Sequence, residues 1–64
     1  MFQITTFHSW GREKLAHDFK SVENALGWLG SHVGEIVLAE EDEDNADHWD
    51  VFCKNGKVYA IEPM

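Results

Sequence analysis

Cysteine is almost missing from this chain: Cys53 is the only one in 64 residues. No disulfide can form within the molecule, and the sequence reads as one made for a reducing, cytoplasmic compartment. The single proline, Pro63, leaves no Pro-rich linker, and no internal repeat or shift in composition marks a boundary, so residues 1–64 read as one domain. Long apolar runs are lacking too. The opening "MFQITTFHSW" has neither the basic start nor the apolar length that a signal peptide or a membrane span requires.

Cations are the scarcest charged groups, five Lys and Arg against twelve Asp and Glu, for a formal charge of -7. So few cations cannot neutralise many phosphates, which argues against direct binding of nucleic acid or of an anionic membrane. The deficit is also local. Residues 35–50 carry eight acids (Glu35, Glu40, Glu41, Asp42, Glu43, Asp44, Asp47 and Asp50) and no Lys or Arg. The other 48 residues hold four acids and five bases, so the whole net charge comes from one stretch.

Aromatic residues are plentiful for the length: three Trp, four Phe and one Tyr. At this size folding buries only about 60% of the surface the unfolded chain exposes. Large rings fill a small core with few positions, which points to a folded domain and not a disordered tail. A catalytic pocket of several hundred cubic ångströms is hard to build in so thin a layer of structure, which favours a binding module over an enzyme.

The pattern along the chain predicts an α+β domain, β-β-α-β-β-β, with an antiparallel sheet and one helix packed on a face. "FQITTFH" is rich in β-branched and aromatic residues and reads as a strand, with a turn around Gly11. Residues 14–19, "KLAHDF", fit both a helix, through Leu15 and Phe19, and a strand, through alternation; a strand in a hairpin is preferred. Ser21 can cap a helix over 21–33, Glu23 suits its positive end, and Val22, Ala25, Leu26, Leu29 and Val33 form one apolar stripe. Gly34 stops it. "EIVLAE" is nearly continuous in apolar residues and reads as a central strand. In "HWDVFCKNGKVYAIE", Asn55-Gly56 predicts a two-residue type I′ hairpin, in which Cys53 faces Val58, Phe52 faces Tyr59 and Val51 faces Ala60. The acids from Glu40 to Asp47 then fall on the connection between the third and fourth strands.

Chemical motifs are sparse. An EF-hand loop begun at Asp42 fails, with Ala46 at its fifth position, Asp47 in place of the required Gly at its sixth and Cys53 in place of the bidentate Glu at its twelfth. The acids retain only weak, unspecific divalent-cation binding as an alternative. His8, His17, His32, His48 and Cys53 show no zinc spacing, and "GWLGSHVG" has no phosphate-loop context. No catalytic residue, no metal site and no cofactor is expected. Trp28, off the centre of the helical stripe, reads either as a flank of the core or as an aromatic anchor for a partner; Trp10 and Trp49 are equally open.

An acidic run is commonly a solvated face. This one is free of bases, confined to one connection, and continued by Glu35 and Asp50, so its negative potential covers one end of the molecule. Alternate side chains of a strand stand about 6.6 Å apart, which lets carboxylates imitate phosphates before a basic protein surface. In its size, its α+β pattern and the segment "EEDEDNADHWD", the chain resembles the small, acidic, phage-encoded inhibitors that mimic nucleic acid, in particular the anti-CRISPR proteins. The resemblance implies a non-enzymatic inhibitor bound to the DNA-binding channel of a CRISPR-Cas effector in the host cytoplasm. Glu40, Glu41, Asp42, Glu43, Asp44, Asp47 and Asp50 would be its contact residues, with Trp28 or Trp49 as anchors. The alternative is an antitoxin-like or adaptor protein that sequesters another basic partner through the same surface.

Overall fold

A computed structural model describes residues 1–64. Five strands and one helix follow in the expected order: β1 (Phe2–His8), β2 (Gly11–Phe19), α1 (Val22–His32), β3 (Ile36–Glu41), β4 (Trp49–Cys53) and β5 (Val58–Pro63). All pairings are antiparallel, and the sheet order is β2-β1-β5-β4-β3. Residues 14–19 are strand, not helix. The last strand, β5, lies at the centre of the sheet.

The core lies between α1 and one face of the sheet. Ile4, Ala25, Leu29, Val51, Cys53, Tyr59 and Ile61 are buried there, with Phe2, Phe19, Val22, Leu26, Trp28, Val33, Ile36, Ala39 and Trp49 packed partly buried around them. The helix forms where the cap and the stripe predict. The Ser21 side chain accepts a hydrogen bond from the Asn24 N–H, Glu23 sits in the first turn, and Ala25 and Leu29 are fully buried. At the other end the N–H groups of Val33 and Gly34 both donate to the Leu29 carbonyl, which supplies partners for the last turn without a left-handed glycine.

Two expectations need correction. "EIVLAE" does not form a central strand: β3 is an edge strand, with Val37 and Leu38 exposed. The β4–β5 hairpin is also shifted by one residue, pairing Phe52 with Val58, Val51 with Tyr59 and Asp50 with Ala60. Cys53 faces Lys57 and not Val58, its N–H donating to the Lys57 carbonyl at 3.1 Å. The loop is therefore three residues, Lys54 to Gly56, with Gly56 alone at positive φ (86°), and not the type I′ turn, which requires positive φ at both central residues. Burial gives the reason. A one-residue slip exchanges the faces of a strand, and only the observed register sets Val51 and Cys53 on the same face as Tyr59 and Ile61.

Candidate functional site

The acidic segment is a short, internally braced hairpin between β3 and β4. Glu40 and Glu41 belong to β3 itself, a correction to their expected place in the connection, and Asp50 belongs to β4. Glu40 stands directly across from Asp50, and Glu41 across from Trp49. The connection, residues 42–48, is closed at its base by the Asp42 N–H donating to the His48 carbonyl at 2.8 Å.

Two of the carboxylates are turned to holding this loop. Asp42 accepts from the Asp44 N–H at 2.9 Å and from the Asn45 side-chain amide at 3.3 Å, the local turn that Asp favours. These bonds, chiefly the Asp44 N–H, hold its carboxyl below the usual Asp value, with the nearby His48 assisting. Glu41 accepts from the Asp47 N–H at 3.3 Å, and Asp47 occupies the left-handed region at φ 63°, which Asp tolerates better than most residues. His48 adds a ring-nitrogen bond to the Ala46 carbonyl at 3.1 Å.

The remaining acids have no such employment. Glu40, Glu43, Asp44, Asp47 and Asp50 are exposed, and no ion pair of the molecule involves any residue between 35 and 50; the three pairs are His8–Glu13, Arg12–Glu62 and His17–Asp18. Five unpaired carboxylates thus stand on one braced hairpin. No three His, Cys, Asp or Glu side chains converge as metal ligands, and no pocket indents the surface. Cys53 is buried in the core, which pushes its thiol pKa up.

The tryptophans divide. Trp49 flanks the acids, across from Glu41, and packs partly buried on the core. Trp28 is at the other side of the molecule: its ring meets Phe19 of β2 edge-on with centroids 5.9 Å apart, and His32 stacks on it at 4.7 Å. Three strands separate β2 from β3, so the structure does not bring Trp28 together with the acidic hairpin. Trp10, 71% exposed in the β1–β2 turn, stacks on His8 at 4.6 Å.

One polar centre escapes a reading of the sequence. Glu62, on the sheet face opposite the helix, accepts from Gln3 at 3.2 Å, from the Thr5 hydroxyl at 2.9 Å and from Arg12. Burial alone would push its carboxyl up; the bonds from Thr5 and Gln3 and the charges of Arg12 and His48 outweigh it, and the net shift is downward from 4.5. Alternation in β5 places Glu62 opposite the core, but its partners come from the far end of the chain. Since its folded pKa is depressed, its stabilisation is full above about pH 4.5 and disappears as pH falls through the lower folded value. Glu62→Gln is expected to destabilise the fold by about 1–2 kcal/mol at pH 7, with the difference from the parent chain shrinking as the pH is lowered below 4.5 and through the folded value. Urea unfolding followed down in pH from 7 checks both the size and the sign.

No protein-family model, curated protein or solved structure matches the chain.

Proposed function

We propose that this protein is a non-catalytic inhibitor that presents an acidic, nucleic-acid-like edge to a basic nucleic-acid-binding protein, with a CRISPR-Cas effector as the leading candidate. The observation that carries this reading is the division of labour in the β3–β4 hairpin. Glu41 and Asp42 are spent on bracing the loop, while Glu40, Glu43, Asp44, Asp47 and Asp50 stand without counter-ions. Like charges held directly opposite, as Glu40 and Asp50 are, cost stability. A domain with little stability to spare keeps such an arrangement when a cationic surface relieves it on binding.

The test is affinity capture on the immobilised chain from bacterial lysate, with and without duplex DNA as competitor. The expected result is a captured nucleic-acid-binding protein that DNA displaces and whose affinity falls steeply between 50 and 300 mM salt. Capture indifferent to both DNA and salt removes the acidic edge as the interface.

A further inference from the structure

We infer that the open face of the sheet is the interface of a two-fold dimer, and that its charges select which two-fold axis the dimer uses. The face opposite α1 is covered by no element of the chain. Cross-strand partners point to the same side of a sheet, so the register reads out this face row by row. One step beyond the Thr6–Tyr59 pair, Phe7 comes alongside Val58, which pairs with Phe52, which pairs with Leu38. These four apolar residues cross four adjacent strands and are 47%, 36%, 37% and 46% exposed. Arg12, paired with Phe7, lays its guanidinium over that ring at 5.6 Å and completes the row on β2. The next row runs Lys14, Thr5, Ala60, Asp50, Glu40. An apolar band this continuous across a sheet marks a surface meant to be covered.

The occupant is a second copy of this chain, because the two rows are self-complementary. Their one unpaired cation, Lys14, lies on β2, their unpaired acids lie on β4 and β3, and β5 divides them. A two-fold axis lying between two facing sheets and parallel to β5 sets β2 of one copy over β3 of the other. Phe7 then meets Phe52, Val58 meets Val58 on the axis, the aliphatic stem of Arg12 meets Leu38, and Lys14 meets Glu40. An axis perpendicular to the strands would instead set each strand over its own copy, so the acid-bearing β3 and β4 of one chain face the β3 and β4 of the other and Lys14 faces β2, where it meets neither Glu40 nor Asp50. Glu62 also falls near the favoured axis, where each copy's carboxylate already carries its own Arg12. The product is an aligned β-sandwich with the two helices outside. The loop acids Glu43, Asp44 and Asp47 lie beyond the sheet and stay exposed, so the dimer leaves these three to a partner and itself takes up Glu40 and Asp50. It places two acidic loops at the same end of the particle.

Sedimentation equilibrium from 5 µM to 1 mM tests this on the chain as it is. The expected result is a reversible rise from 7.4 kDa toward twice that mass. Phe52→Ser is expected to remain at the monomer mass with unchanged circular dichroism. Lys14→Glu and Glu40→Lys are each expected to weaken association about tenfold, and the double variant to recover it. A parent chain that stays at 7.4 kDa at 1 mM, or a double variant no better than either single one, overturns the proposal.

Discussion

Ile61→Ala is expected to remove about 3–4 kcal/mol of folding stability, enough to leave a visible unfolded population at 25 °C in a domain of this size, whose total is about 3–5 kcal/mol. Ile61 is fully buried on the central strand and pairs with Ile4, itself fully buried, on one side and with Trp49 on the other. Removing its branched side chain leaves a cavity on the core face of the sheet between the side chains of Ile4 and Trp49, whose strands backbone pairing holds at a fixed spacing, so the site cannot collapse to fill it. Ile61→Val, which deletes one methylene, is expected to cost only about 1 kcal/mol. Urea unfolding followed by tryptophan fluorescence measures both. A loss below about 1 kcal/mol for the alanine variant would mean that the centre of the sheet is not the centre of the core.

Neutralising Glu43, Asp44 and Asp47 together, as Gln, Asn and Asn, is expected to weaken binding of the captured partner about 30- to 140-fold at low salt, from roughly 0.7–1 kcal/mol for each exposed charge. The fold should be unchanged or slightly firmer, because the formal charge falls from -7 to -4 and Asn at 47 accepts the left-handed backbone. Asp42 is left in place because it ties the loop through Asp44 and Asn45. Titrations at 50 and 300 mM salt make the result specific: the parent and the variant should converge as screening increases. Equal affinities at low salt would show that these three carboxylates face no cation in the complex.

Local chemistry made much of this architecture legible. The Ser21 cap and the Val22–Val33 stripe are short-range signals, and the helix appears where they place it. "KLAHDF" fitted helix and strand alike, and pairing with β1 decided it, whereas strand existence was readable for β1, β3, β4 and β5. Register and sheet order were not, because both are decided by partners distant in the chain. Asn55-Gly56 announces a hairpin, yet the choice between a two- and a three-residue loop was made by burying Val51, Cys53, Tyr59 and Ile61 on one face. "EIVLAE" has the composition of an interior strand, but β5 takes the central place and leaves β3 at the edge. Within the candidate site, the charge of the acidic stretch was plain from composition. Which carboxylates are free depended on where the loop backbone sends its N–H groups, and spacing carries no record of that.

The central place of β5 also governs how the molecule comes together in time. The β1–β2 hairpin and the β3–β4–β5 meander are each built from neighbours in the chain, and the strand pairing that joins them is β1 with β5, from Phe2–Pro63 to Thr6–Tyr59. Closing that seam requires a loop of more than fifty residues, with little enthalpy gained until it is shut. Folding should therefore be limited by the docking of two preformed halves. Substitutions that destabilise either half, the acidic hairpin included, would slow refolding, because both halves are formed before they dock.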